Sequence, residues 1–296
     1  MTEALLFAIL ANLCFSTGSL FFTKYSRAFG ALKFNTFKAQ IALICFAITI
    51  LFFPFEHFPN TKGITYLALS GLIGLAIGDI FIFNAFKKIG PARTLTLFGL
   101  RPLMMAILTN IVLNSPFKNE DIYPSLFFIL CLVVFARENY QKNKSWELAG
   151  LLWGVLGVFL DSTGVLLTRI VFDENPLMTT FHANIIRTAF AVFLLMIICL
   201  IRYKSVRVIP IKVALKDKLL IFTPILGTYI ALIFFIQAIK TGNLIIVSAV
   251  GVTGPIFAST LECLYNKSRP SKHLLLALLL FIIGMVLRTY LMTQNA

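Results

Sequence analysis

Four charged side chains lie deep inside long apolar blocks: Asp79, Arg101, Asp161 and Arg187. A charge in such a block is costly unless it is paired or faces water, so residues of this kind mark substrate paths, proton relays or interhelical locks. Arg101 stands directly before Pro102. Its guanidinium stays charged and can fork onto a carboxylate or a phosphate. Two arrangements fit these residue types. In one, Arg101 and Arg187 pair with Asp79 and Asp161 and hold helices together. In the other, Arg101 meets an anionic group of a substrate, while Asp161 or Asp79 takes and releases a proton or binds an amine.

Weaker candidates surround these four. Ser16, Thr17, Asn84, Tyr229 and Gln237 can hydrogen-bond a polar ligand, or equally well a neighbouring helix. Arg187 and His182 in one block and Glu262 near the end of another suit gating or proton relay. For His182, and for Lys38 at the matching place in an earlier block, the alternative is an interfacial residue; for Glu262 it is a solvated or helix-capping one. Pro102 and Pro255 each remove a backbone donor and free a carbonyl one turn earlier, which predicts helix kinks. Ser70, Gly74 and Gly78 fall every four residues, and Gly150, Gly154 and Gly157 share one face, so helix backbones can approach closely there.

Other chemistries lack their residues. The five cysteines sit inside apolar blocks without metal-type spacing, which suits inert buried thiols. Three histidines and no paired acidic motif leave no basis for a metal site, and no cofactor is implied. The chain lacks a Gly-rich phosphate loop, HExxH and Gly-x-Ser-x-Gly, which argues against an ATP-driven pump, a membrane protease and a lipase. An enzyme is not expected.

The blocks that carry these residues set the class. Of 296 residues 59% are hydrophobic and only 13% charged, about half the share of a soluble chain, and mean hydropathy is +0.91. A span needs about 20 apolar residues. On that scale ten spans are predicted, at 4–22, 37–53, 64–86, 92–113, 122–136, 147–169, 178–201, 219–239, 244–264 and 274–291. The first has Glu3 in place of a basic leader, which fits a retained span rather than a cleaved signal peptide. The expectation is an all-α membrane protein whose partners are the lipid bilayer and a small-molecule substrate.

The net charge of +14 is unevenly placed. Nineteen Lys and Arg fall in the odd-to-even connections, five on the other side, and Arg101 and Arg187 within spans. The positive-inside rule then puts both termini outside the cytoplasm. Basic residues flanking spans face anionic headgroups, so nucleic acid is not an expected partner.

The two halves repeat each other. Ser16-Thr17-Gly18 recurs as Ser162-Thr163-Gly164, 146 residues on, and Thr36-Phe37-Lys38-Ala39-Gln40-Ile41 as Thr180-Phe181-His182-Ala183-Asn184-Ile185, 144 on. Ala85-Phe86-Lys87 matches Ala238-Ile239-Lys240, and Pro102 matches Pro255, both 153 on. Residues 1–143 and 144–296 then form two five-helix repeats. Because five is odd, the second enters the membrane inverted, an architecture of alternating-access transporters.

These features resemble the drug/metabolite transporter superfamily, in its ten-span EamA-type branch. Gly78-Asp79, Phe83-Asn84-Ala85-Phe86, Ile89-Gly90-Pro91-Ala92-Arg93 and Pro102 carry the likeness in the first half. Gly227-Thr228-Tyr229, Gln237-Ala238 and Thr253-Gly254-Pro255-Ile256-Phe257 carry it in the second. Glu262 matches the family's glutamate, with Ser259-Thr260-Leu261 in place of its usual Leu-Gly context. The resemblance implies secondary transport of a small organic metabolite through a cavity between the halves, often export, in the cytoplasmic (inner) membrane of a bacterium. Protons are a candidate coupling ion, and Arg101 points to a carboxylate or phosphate on the substrate. The alternative on the same fold is a lipid-linked flippase or a multidrug exporter for hydrophobic cations, which expects an unpaired Asp161 or Asp79. The family also implies cytoplasmic termini in many members, opposite to the charge count.

Overall fold

A backbone inside lipid must satisfy its own hydrogen bonds, so long apolar blocks fold as helices. The computed structural model describes residues 2–54, 58–113, 148–206, 211–242, 253–265 and 269–294, together with Ile209, Lys267 and scattered positions between Tyr123 and Gln141. Every regular element among them is helical. In chain order these are α1 (Thr2–Phe29), α2 (Ala31–Phe52), α3 (Thr61–Ile89), α4 (Pro91–Leu100), α5 (Arg101–Leu113) and α6 (Leu148–Glu174). Then follow α7 (Thr180–Tyr203), α8 (Ile211–Lys216), α9 (Lys218–Thr241), α10 (Thr253–Tyr265) and α11 (Lys272–Gln294).

Six of these helices, α1, α2, α3, α6, α7 and α9, are long and apolar enough to cross a membrane. A seventh is gained if α4 and α5 count as one span bent by 42°. That bend falls at Pro102, after a 3-10 turn over Leu97–Leu100, as a missing N–H at that point requires. Pro255 lies in the first turn of α10, where a proline is well tolerated, and residues 243–252 before it lie outside the described ones. The same holds for much of the expected fifth span (122–136) and for the start of the ninth (244–264).

Connections are tight where glycine permits. Gly30 alone joins α1 to α2 with φ of 88°, and Gly90 joins α3 to α4 with φ of 81°. Both angles belong to the left-handed side that side chains with a Cβ avoid. Asn60 and Thr179 cap the starts of α3 and α7, accepting from Gly63 N at 2.7 Å and His182 N at 3.3 Å.

The bundle is held at glycine crossings. A Cβ on Gly18 of α1 would lie 2.8 Å from the Cα of Gly227 on α9, and one on Gly164 of α6 would lie 3.3 Å from the Cα of Gly74 on α3. Gly78 and Gly157 bring α3 against α6 in the same way, as the small-residue spacing predicts. Both partner helices are locally widened, into π-helical turns over Gly71–Gly78 in α3 and Ile225–Ile230 in α9. Pro224, which has no N–H to donate, immediately precedes the second. Asn35 of α2 donates to the carbonyls of Leu75 (3.2 Å) and Ala76 (3.0 Å) within the first. Turns of this kind are concentrated at functional sites.

Candidate functional site

The glycine crossings leave a cavity of about 190 Å³ between the helices, and the deep charges converge on it. Asp79 follows the π-helical turn of α3, Arg101 opens α5, Asp161 sits mid-way along α6 and Arg187 lies two turns into α7; all four line the cavity. Lys38 of α2 lines it too, buried to 4% exposure.

Pairing within the cavity is specific. Arg101 Nη2 donates to Asp161 Oδ2, and Lys38 Nζ donates to Asp79 Oδ2. The guanidinium of Arg101 is sandwiched between the rings of Phe98 and Phe235, each centroid 4.9 Å away, and Lys38 Nζ lies 4.8 Å from the ring of Phe83. Arg187 has no carboxylate partner within 4.0 Å among the described residues. Its Nε donates to Ser70 Oγ at 2.9 Å and its Nη1 to Asn184 Oδ1 at 3.3 Å. Ser70 Oγ in turn lies 2.7 Å from Gly164 O and 2.9 Å from Thr168 Oγ1, so Arg187 ties α7, α3 and α6 together. Of the pairing arrangement, Arg101 with Asp161 is present, while Asp79 is paired with Lys38 rather than with either arginine.

The cavity face of α3 recurs on α9. Leu75, Asp79, Ile82 and Phe86 line the cavity, and so do Thr228, Leu232, Phe235 and Ile239, each 153 residues later. The i, i+4, i+7, i+11 spacing is one helix stripe. Arg101 and Gly254 form a fifth lining pair at the same offset. Backbone placement is thus shared between the two sets, while the charges are not.

The weaker candidates scatter. Ser16 lines the cavity with its Oγ donating to Gly254 O at 2.9 Å, and Pro255 lines it as well. Thr17 is turned back on its own helix (Oγ1 to Leu13 O, 2.9 Å), as is Asn84 (Nδ2 to Ile80 O, 2.9 Å). Tyr229 is 2.5 Å from Thr49 Oγ1 and rests edge-on against Phe46, and Gln237 is half-buried outside the cavity wall. His182 is buried near the end of α2, its Nε2 3.3 and 3.2 Å from the carbonyls of Phe53 and Pro54. Glu262 accepts from Ala92 N at 3.2 Å and so caps the start of α4 from α10, away from the cavity.

Lys38, a relay or interfacial candidate, and Thr228, part of a family motif, both line the cavity. Lys38 was placed at a span start, but α2 begins at Ala31, which carries Lys38 two turns inward. Thr228, 5% exposed, lines the cavity from the π-helical turn of α9, and its Oγ1 has no hydrogen-bond partner among the described residues. The motif Gly227-Thr228-Tyr229 was its available signal. Among the described residues no group of three or more His, Cys, Asp or Glu side chains could hold a metal ion.

The cavity's geometry and the chain's relatives point the same way. A solved crystal structure covering 100% of this chain and 99% of its own shares the fold with a TM-score of 0.68 at 17% identity. An uncharacterized transporter of Archaeoglobus fulgidus is 22% identical over 297 residues, 96% of each chain. The uncharacterized transporter YyaM of Bacillus subtilis is 29% identical over 131 residues, 42% of each chain. The EamA-like transporter family model matches residues 2–137 and again residues 148–290. With nearly the whole chain matched, this multi-pass membrane protein belongs to the EamA-like transporter family.

Proposed function

We propose that the protein is a secondary, gradient-driven transporter that exports a small organic anion by alternating access between two inverted five-helix repeats, residues 1–143 and 144–296. The observation that carries the reading is the cavity charge among the described residues: three cations (Lys38, Arg101, Arg187) against two carboxylates (Asp79, Asp161). A buried positive surplus favours an anionic guest.

Support for the repeats comes from paired geometry. The Ser-Thr-Gly glycines, Gly18 and Gly164, meet Gly227 and Gly74, which are themselves 153 apart and each in a π-helical turn. Thus α1 crosses α9 as α6 crosses α3, and α2 packs on α7. Two such halves can exchange conformations around a central site. An exporter of hydrophobic cations on the same fold needs an unpaired carboxylate, whereas Asp79 and Asp161 are both ion-paired.

Transport by the purified protein in proteoliposomes tests the reading. Imposed substrate or proton gradients are expected to drive uptake of an organic anion. Arg101→Ala is expected to reduce the rate by at least about tenfold, with Arg101→Lys retaining part of it, since lysine keeps the charge but loses the fork. Wild-type rates in both variants would remove Arg101 from the transport path. The charge count adds an orientation within a bacterial cytoplasmic membrane, both termini outside. A C-terminal reporter active only outside the cytoplasm is expected, and a cytoplasmic signal overturns it.

A further inference from the structure

The cavity's charges leave one positive unit over. Both carboxylates are committed, Asp161 to Arg101 and Asp79 to Lys38. The remainder falls on Arg187, 1% exposed and held by the neutral oxygens of Ser70 and Asn184. Among the described residues, two further polar atoms at the cavity are buried without a partner: Arg101 Nε and Thr228 Oγ1. A group that brings one negative charge and two acceptor oxygens answers the surplus and offers partners to these atoms.

Much of the wall is aromatic. Among the described residues, seven that line it are phenylalanine. Phe98 and Phe235 flank Arg101, Phe15 stands edge-on to Phe235 at 6.2 Å, and Phe83 leans on Phe22 at 5.4 Å beside Lys38. Rings prefer such edge-on and tilted neighbours. An apolar cavity of about 150 Å³ accepts one benzene. The 190 Å³ here accommodates one ring with a short arm.

We infer that the guest is an aromatic monocarboxylate, its carboxylate drawn to Arg187 and the Arg101 Nε–H and its ring lodged among the phenylalanines. The inference rests on the transport reading for its biological meaning, but binding stands or falls by itself. Valence follows from the charges. A monoanion brings the site to neutrality, a dicarboxylate or phosphate dianion leaves it negative, and an aryl amine doubles the surplus. Each departure leaves an unpaired charge in a low-dielectric pocket.

The test is binding to the full-length protein in detergent, read as thermal stabilisation and by competition, with phenylacetate, succinate, inorganic phosphate, phenethylamine and neutral phenylacetamide. Phenylacetate is expected to bind at least about tenfold tighter than each of the other four. In Arg187→Gln the preference is expected to invert towards phenylacetamide, because the site is then already neutral. Should that variant not fold, the wild-type panel decides alone. Succinate binding as tightly as phenylacetate overturns the valence, phosphate doing so overturns the aromatic requirement, phenethylamine binding more tightly overturns the sign, and phenylacetate failing to bind overturns the substrate class. Proteoliposome flux separates the two claims. Phenylacetate bound but never moved across the bilayer sinks the transport reading and spares this one; movement of another solute with which phenylacetate does not compete does the reverse.

Discussion

Asp161→Asn is expected to lower the unfolding free energy of the detergent-solubilised protein by about 3–5 kcal/mol, and adding Arg101→Met to return most of that loss. The first variant strands a guanidinium that Asp161 now neutralises, between two phenylalanine rings that offer it no hydrogen bond. The cavity then holds three cations and one carboxylate. The second variant removes the stranded cation and restores the original surplus of one. A double-mutant cycle therefore reports strong coupling, while transport stays lost in both backgrounds if Arg101 also handles substrate. Lys38→Met with Asp79→Asn is expected to follow the same pattern, since Lys38 is enclosed more fully still, 5% exposed against 24% for Arg101. The Lys62–Glu174 pair supplies the contrast. It is 55% and 34% exposed, and its removal is expected to leave stability almost unchanged. Additive losses at Arg101 and Asp161, with no coupling, would show that the buried pair does not form.

The sequence made the charged floor of the cavity legible because charges inside apolar blocks are few. Asp79, Arg101, Asp161 and Arg187 needed no structure to be singled out, and all four line one cavity. Lys38 reads as a residue of a span start for a definable reason. Lys33 and Lys38 depress hydropathy at the start of α2, so the span appears to begin at 37, whereas Gly30 lets the helix begin at Ala31. The partner that Asp79 takes therefore lies outside the arginines that the sequence offers it. Thr228 and the two π-helical turns carry no periodic signature, because a π turn inserts one residue into a pattern that remains apolar throughout. Gly74 was read as a packing residue and Gly227 as part of a family motif, and only the structure sets each in such a turn against a Ser-Thr-Gly glycine. The polar set Thr17, Asn84 and Tyr229 shows the limit from the other side. In a span, a hydroxyl or amide finds a backbone carbonyl or a neighbouring hydroxyl as readily as a cavity, and composition does not distinguish the two.

The second large effect is expected at Gly71, the first residue of the π-helical turn in α3. Gly71→Ala is expected to destabilise the protein by about 3 kcal/mol or more, while Gly74→Ala costs under about 1 kcal/mol. A Cβ on Gly71 would lie 1.9 Å from Arg187 O, 2.7 Å from its carbonyl carbon and 2.9 Å from its Cα. All three are backbone atoms, so no side chain can swing aside and α3 must move away from α7. A Cβ on Gly74 meets nothing closer than Gly164 Cα at 3.5 Å, an ordinary contact. The displacement at Gly71 also has a chemical consequence. Ser70, one residue earlier, holds the Arg187 Nε–H at 2.9 Å and contacts Gly164 and Thr168 on α6. Separating α3 from α7 releases the cavity cation that has no carboxylate within ion-pair distance among the described residues. Gly71→Ala is therefore expected to weaken anion binding in whatever fraction folds, and Ser70→Ala to do so with little loss of stability from crowding. Equal stability of Gly71→Ala and Gly74→Ala would show that α3 and α7 do not cross at Arg187. Intact anion binding in Ser70→Ala would show that Arg187 does not depend on that hydroxyl for its place in the cavity wall.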